Sequence, residues 1–121
     1  MDSKELVKRL MVLDTCAVSD ALDSLGLNGA VTGLVRRSTK EAIAGRVQTV
    51  KLSIGTTPGG SSTHLGSRSI EDARKKDIIV VEQRSGIDAA GWGGVLAVAA
   101  KARGIQGVII EGPARDIDEY Q

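Results

Sequence analysis

Two uninterrupted apolar segments, with one helical segment between them, constrain the fold of this chain most. The first is IIVV at 78–81 and the second is GVII at 107–110. Strands that are apolar at every position are typical of a parallel sheet covered on both faces. Residues 94–103 have helical character and precede Gly104, a residue type that commonly ends helices. This order predicts a parallel strand–helix–strand unit, β-α-β, at about 77–121, with a right-handed crossover.

The first half of the chain predicts two helices and one further strand. Apolar residues recur at helical spacing over about 3–25, where Asp14 or Thr15 would cap the second helix and Gly26 would end it. Residues 42–54 alternate polar and apolar side chains, which predicts a strand with one more polar face.

The remaining segments complete an α/β pattern. A helix is predicted at 62–75, after which Asp77 introduces the first apolar strand. A chain of 121 residues is long enough for one hydrophobic core, so we expect a single domain over 1–121.

The composition favours a globular protein with an aliphatic core and disfavours several functions. Hydrophobic residues make up 41% of the chain, whereas aromatic residues make up only 2%. The 16 basic and 15 acidic residues nearly cancel, so neither charge nor aromatic stacking favours nucleic acid. The charged N-terminal segment resembles neither a signal peptide nor a membrane span, so we expect a cytoplasmic protein. Cys16 is the sole cysteine, which excludes an intrachain disulfide.

Two short motifs follow the two predicted strands. They would lie beyond the carboxyl ends of the strands, where α/β proteins usually bind ligands. GWGG at 91–94 opens a helix, and its N–H groups and the helix dipole suit a carboxylate or phosphate. Arg115 and Asp116 follow the second strand, where Pro113 interrupts the ladder. Arg115 could neutralise an enolate or a carboxylate. Asp116 with waters could hold Mg²⁺, and Glu119, one helical turn later, could hold a metal-bound water.

A purely structural interpretation of both motifs stays open. Glycines also serve as helix starts and as close-packing positions. Arg115 and Asp116 could form a surface ion pair in which Asp116 caps a helix.

The other polar residues are weaker candidates. His64, the only histidine, is expected to lie in a loop or cap a helix, with a place in the cleft as the alternative. Arg84 and Asp88 could reach a ligand or be ordinary surface charges. GTTPGGSSTH at 55–64 lacks the Gly-Lys-Ser/Thr ending of a phosphate loop, and GWGG departs from the dinucleotide-binding spacing.

Four sequence blocks in order resemble the RraA-like family. They are TCAVSDALDSLG, GRVQTV, KKDIIVVEQ and GGVLAVAAKARGIQGVIIEGPARD. The last block is the most specific, and the resemblance covers the chain from about Thr15. The family includes the class II 4-hydroxy-4-methyl-2-oxoglutarate aldolases and the regulator of ribonuclease activity A.

This resemblance implies a fold, an assembly and a chemistry. The fold would be the swivelling β/β/α domain, assembled as a homotrimer with sites between subunits. The activity would be that of a Mg²⁺- or Mn²⁺-dependent lyase that releases pyruvate from a 2-oxo dicarboxylic acid, as an aldolase or oxaloacetate decarboxylase. Asp116 would be the metal ligand, supported by Glu119, and Arg115 would polarise the ketone. The substrate carboxylate would lie on the backbone of Gly93, Gly94, Val95 and Leu96.

The resemblance also implies a difference from the family and an alternative function. Family members continue beyond the Arg-Asp motif, so we expect this chain to be C-terminally shortened and to lack the last strands and a further acidic residue. The alternative is a non-catalytic regulator that binds a ribonuclease or another protein.

Overall fold

A three-stranded parallel sheet lies at the centre of the fold. The computed structural model describes residues 1–55, 59, 63–84 and 86–120. The helices and strands follow in this order: α1 Ser3–Leu10, α2 Thr15–Ser24, β1 Val47–Lys51, α3 Leu65–Asp72, β2 Ile78–Glu82, α4 Gly94–Arg103, β3 Gly107–Glu111 and a short 3₁₀ helix at Ile117–Glu119.

The sheet has the order β1-β2-β3, and both neighbouring pairs are parallel. Ile78 lies opposite Val47 on one side and opposite Gly107 on the other. Ile79 and Val81 of the central strand are 0% and 1% exposed, because β1 and β3 flank β2 on both edges and the core cluster packs on the face that carries these two residues. The predicted α/β class and the parallel strand–helix–strand order are confirmed.

The two outer strands differ in part from the predictions. Within 42–54 only Val47–Lys51 forms a strand, where Val50 is buried and Val47 and Thr49 are exposed, as the alternation predicts. The prediction of a fully buried β3 was wrong, since its residues from Gly107 to Ile110 are only half-buried. The reason is that β3 is an edge strand, beside an open groove of about 600 Å³.

Helices α3 and α4 lie beside the sheet and differ in how well the sequence predicts their ends. Helix α4 ends at Gly104, whose φ of 79° is left-handed, as predicted. Helix α3 ends at Asp72, three residues before the predicted end, because Lys76 donates its N–H to the Gly104 carbonyl instead of continuing the helix (2.7 Å). The start of the predicted helix at 62 lies outside the described residues, as does most of the 55–64 loop.

The two N-terminal helices form where the sequence predicts them. The Oδ1 atom of Asp14 accepts the N–H of Ala17 at 2.8 Å and so caps α2. Gly26 follows α2 with a φ of 66°. Neither of these two fully described helices buries a residue. Beyond them, an exposed apolar segment at 25–35 carries Leu25, Leu27, Val31, Leu34 and Val35, all at least 48% exposed.

An ion pair ties the start of the sheet together. Nη2 of Arg46 lies 2.5 Å from Oδ2 of Asp77, and the same oxygen accepts the Arg74 N–H at 2.8 Å. The Asp77 side chain is 6% exposed. Burial alone would raise the pKa of Asp77, but the hydrogen bonds from Arg46 and Arg74 outweigh it, so the pKa lies below its ordinary value.

No helix among the described residues has both the length and the apolar character needed to cross a membrane.

Candidate functional site

Two loop segments pair beyond the ends of β2 and β3 and bring the predicted motifs together. Trp92 and Ala114 form a parallel bridge. The Gly91 N–H donates to the Pro113 carbonyl at 2.9 Å, and the Arg115 N–H donates to the Trp92 carbonyl at 3.1 Å. The start of α4 therefore lies beside the Arg115-Asp116 pair.

Asp116 contacts both the start of α4 and its neighbour Arg115. Its Oδ2 accepts the Gly94 N–H at 3.1 Å and lies 3.5 Å from Nε of Arg115. Asp116 has a left-handed φ of 58°, a conformation that Asp adopts more readily than most residues. The positive end of the α4 dipole and the guanidinium both lie on the side of the carboxylate that faces the helix start. The carboxylate therefore caps a helix, as the purely structural interpretation expects. The capped helix is α4, however, and not the 3₁₀ helix that follows Asp116.

The glycine pair is where the predicted acidic and basic residues converge. A Cβ atom at Gly93 would lie 3.1 Å from Nε of Arg115 and 3.2 Å from Oδ2 of Asp116. A Cβ atom at Gly94 would collide with Oε2 of Glu119 and lie 3.3 Å from Cβ of Asp116. Only glycine at 94 lets the Glu119 carboxylate approach the helix start as it does.

A cleft of about 350 Å³ opens beside the start of α4, with Gly93 in its lining. Four of the predicted substrate-binding residues line it, together with residues from the start of α3. The polar and site-forming members are His64, Ser67, Gly93, Val95, Leu96 and Arg115. Asp116, Glu119 and Gly94 do not line the cleft; Asp116 contacts Gly93, which does, and Glu119 approaches Gly94 behind it.

The first turn of α4 offers two N–H groups to a ligand. The Gly94 N–H already donates to Asp116. The N–H groups of Val95 and Leu96 lie in the first turn, where the helix supplies no acceptor. Gly93 provides no side chain that could cap this end.

Tyr120 is a site-supporting residue that the sequence analysis missed. Its hydroxyl lies 2.5 Å from the Arg115 carbonyl and 3.2 Å from the Trp92 carbonyl. The pKa of Tyr120 is raised, first by burial and then by the negative charge of Asp116. The hydroxyl therefore keeps the proton that it donates. Its sequence position, one 3₁₀ turn after Ile117, is the only local signal.

Arg84 and Asp88, two further residues considered from the sequence, lie apart from this convergence. Arg84 forms an ion pair with Glu111 (2.9 Å), which joins the ends of β2 and β3. Asp88 is exposed. Trp92, from the GWGG motif, is 2% exposed, packs in the core and is among the residues that line the cleft.

The carboxylates of Asp116 and Glu119 are better suited to a metal ion that keeps its waters than to one held only by protein ligands. Among the described residues, no group of three or more His, Cys, Asp or Glu side chains is placed to hold a metal. Asp116 and Glu119 nevertheless approach the same glycine, with the Asp116 side chain 41% exposed. Two carboxylates open to water suit Mg²⁺, which usually keeps several waters.

Known proteins match most of the chain. The family model described as RraA-like: Aldolase/RraA matches residues 15–121. Protein DlpA of Legionella pneumophila is 26% identical over 116 residues, which cover 96% of this chain and 19% of DlpA. This chain therefore spans about a fifth of the length of that curated relative.

Solved structures share the fold over nearly the whole chain. An uncharacterized protein from Pseudomonas syringae pv. tomato is 28% identical with a TM-score of 0.80, over 98% of this chain and 52% of that one. RraAS2 of Streptomyces coelicolor, described as an unusual member of the RNase ES inhibitor RraA protein family, is 19% identical with a TM-score of 0.78. That match covers 95% of this chain and 57% of RraAS2, so the chain spans little more than half of either structure.

Proposed function

Since the chain belongs to the RraA-like family, which includes both aldolases and ribonuclease regulators, we propose that it is a divalent-metal-dependent lyase. The proposed reaction cleaves a C–C bond of a 2-oxo dicarboxylic acid and gives pyruvate, as in 4-hydroxy-4-methyl-2-oxoglutarate aldolase or oxaloacetate decarboxylase. The observation that carries the proposal is the convergence of Arg115, Asp116 and Glu119 on Gly93 and Gly94.

The start of α4 and Arg115 would hold the reacting end of the substrate. The N–H groups of Val95 and Leu96, in the first turn of α4, would bind a carboxylate, which the helix dipole also favours. Cleavage leaves an electron pair that delocalises onto the ketone oxygen. The Arg115 guanidinium lines the same cleft and would stabilise that negative charge, an effect commonly worth a hundredfold or more in rate, roughly 3 kcal/mol.

Asp116 and Glu119 would hold Mg²⁺ or Mn²⁺ with most of its water retained. The ion would supply Lewis-acid polarisation of the ketone. The Gly94 N–H and the Arg115 guanidinium fix the direction of the Asp116 carboxylate, which is a requirement for a metal ligand.

Pyruvate release from oxaloacetate, measured with Mg²⁺ and with a chelator, tests the proposal. We expect release that requires the metal and falls by at least about a hundredfold in Asp116→Asn. Asp118→Asn is the matched control, because Asp118 is an exposed carboxylate in the 3₁₀ helix that Asp116 precedes. Release that persists without metal, or equal rates in Asp116→Asn and Asp118→Asn with both variants folded, would refute the proposal.

The exposed apolar segment 25–35 favours a second candidate, a regulator that binds a ribonuclease or another protein. A run of large apolar side chains open to water is typical of a surface that binds protein. Stoichiometric binding of a purified ribonuclease that is lost in Val31→Asp, together with absent pyruvate release, would rank this candidate first.

A further inference from the structure

His64 is distant from the Arg-Asp motif in the sequence, yet it lines the same cleft as Arg115. We propose that His64 binds the second carboxylate of the substrate and so selects dicarboxylic over monocarboxylic 2-oxo acids. This inference rests on the proposed function and assigns a specificity to the same site.

The imidazole of His64 contributes no polar contact to the part of the fold that the structure describes. His64 occupies the N-cap position of α3 but makes no side-chain capping hydrogen bond. Its side chain is exposed, and no hydrogen bond or ion pair joins it to the described residues. A polar ring that supports neither its helix nor a neighbouring side chain is free to bind a ligand.

A close approach of two helix starts sets the position of the ring. A Cβ atom at Gly66 would lie 2.7 Å from Cδ1 of Leu96 and 3.2 Å from both Nδ1 and Cε1 of His64. The absence of a side chain at Gly66 therefore lets the first turn of α3 pack against the first turn of α4. The imidazole of His64 lies next to this contact. This packing places the ring beside the helix start that would bind the first carboxylate.

The charge of the cleft fits a dianion. Among the described residues, its lining includes two side chains that can carry positive charge, His64 and Arg115, and no carboxylate. The Ser67 hydroxyl adds a neutral donor one turn along α3. With one carboxylate held by the start of α4 and Arg115, the ring N–H of His64, together with the Ser67 hydroxyl, is left to bind the other.

The chain's single histidine gives a direct test with two stable, non-reacting probes. Malate and lactate share a 2-hydroxy acid end, and only malate carries the second carboxylate. We expect malate to shift the ¹H resonances of the His64 ring and to bind at least about tenfold more tightly than lactate, the range of one hydrogen bond to a charged group. In His64→Ala the two affinities should become equal, while lactate binds as before. His64→Gln, which keeps a donor, should retain part of the preference.

Three other results of the binding experiment would contradict the role of His64. Equal shifts of the His64 resonances by malate and lactate, no shift by either, or an unchanged malate preference in His64→Ala would overturn the inference. Pyruvate release is measured in parallel with Asp116→Asn. If malate selection is present but pyruvate release is absent, the proposed reaction fails and the binding role of His64 stands. If release is metal-dependent but His64→Ala leaves the malate preference intact, only the role of His64 fails.

Discussion

Gly94 shows how one residue can matter for the site more than for the fold. An added Cβ atom would meet the carboxylate end of Glu119, which is the tip of a flexible side chain, whereas Cβ of Asp116 stays at 3.3 Å. The backbone of Gly94 is helical, so alanine is compatible with it and raises helix propensity. The substitution should therefore displace Glu119 without unfolding α4.

We predict that Gly94→Ala changes the free energy of unfolding by less than about 1 kcal/mol but weakens Mn²⁺ binding about tenfold. Urea unfolding followed by circular dichroism, together with Mn²⁺ titration, measures the two effects. Ala99→Gly, on the exposed face of the same helix, is the control for propensity alone and should leave Mn²⁺ affinity unchanged. Unchanged affinity in Gly94→Ala would mean that Glu119 takes no part in metal binding.

At the scale of elements, the Arg46–Asp77 pair links the segment before β1 to the start of β2. Because the folded-state pKa of Asp77 is lowered, the pair stabilises the fold above the ordinary value of 3.8, and this stabilisation is lost as the pH falls through the lower folded-state pKa. Arg46 is partly exposed, which weakens the pair relative to a fully buried one.

We predict that Asp77→Asn lowers the free energy of unfolding at pH 7 by about 2 kcal/mol, because Arg46 and the Arg74 N–H lose a charged acceptor. The difference from the unsubstituted chain should shrink as the pH falls below 3.8. Asp72→Asn removes the exposed Arg68–Asp72 pair and should cost less than about 0.5 kcal/mol. Equal losses in the two variants, measured by urea unfolding at each pH, would contradict the assignment.

The elements also show what a sequence can predict. The end of α4 at Gly104 and the core of β2 follow from local composition, so both are predictable. The end of α3 and the partial burial of β3 depend on neighbours distant in sequence, namely the Gly104 carbonyl and the open edge of the sheet.

Within the site, the residue types of the Arg-Asp motif are visible in the sequence, but their geometry is not. The hydrogen bond from the Gly94 N–H to Asp116 requires the pairing of Trp92 with Ala114. That pairing cannot be predicted from the local pattern of apolar residues. The same pairing explains why the contribution of Tyr120 was missed.

At the scale of the whole molecule, the exposed apolar segment 25–35 and the groove beside β3 leave much apolar surface open to water. Large exposed apolar surfaces are typical of association sites. We therefore expect a homo-oligomer, and a trimer as the family resemblance implies.

Light scattering should give a mass about three times that of the 12.6 kDa chain. Val31→Asp places a charge in the exposed apolar segment and should reduce the mass, whereas Thr32→Asp places the same charge at a polar neighbour and should not. A monomeric unsubstituted chain would contradict this expectation and would favour the regulator.

Metal binding at Asp116 is the central claim, and Mn²⁺ binding followed by electron paramagnetic resonance tests it most directly. The account predicts one bound Mn²⁺ per chain, with affinity at least about tenfold weaker in Asp116→Asn and unchanged in Asp118→Asn. Absent binding by the unsubstituted chain, or equal affinity in the two variants, would contradict it.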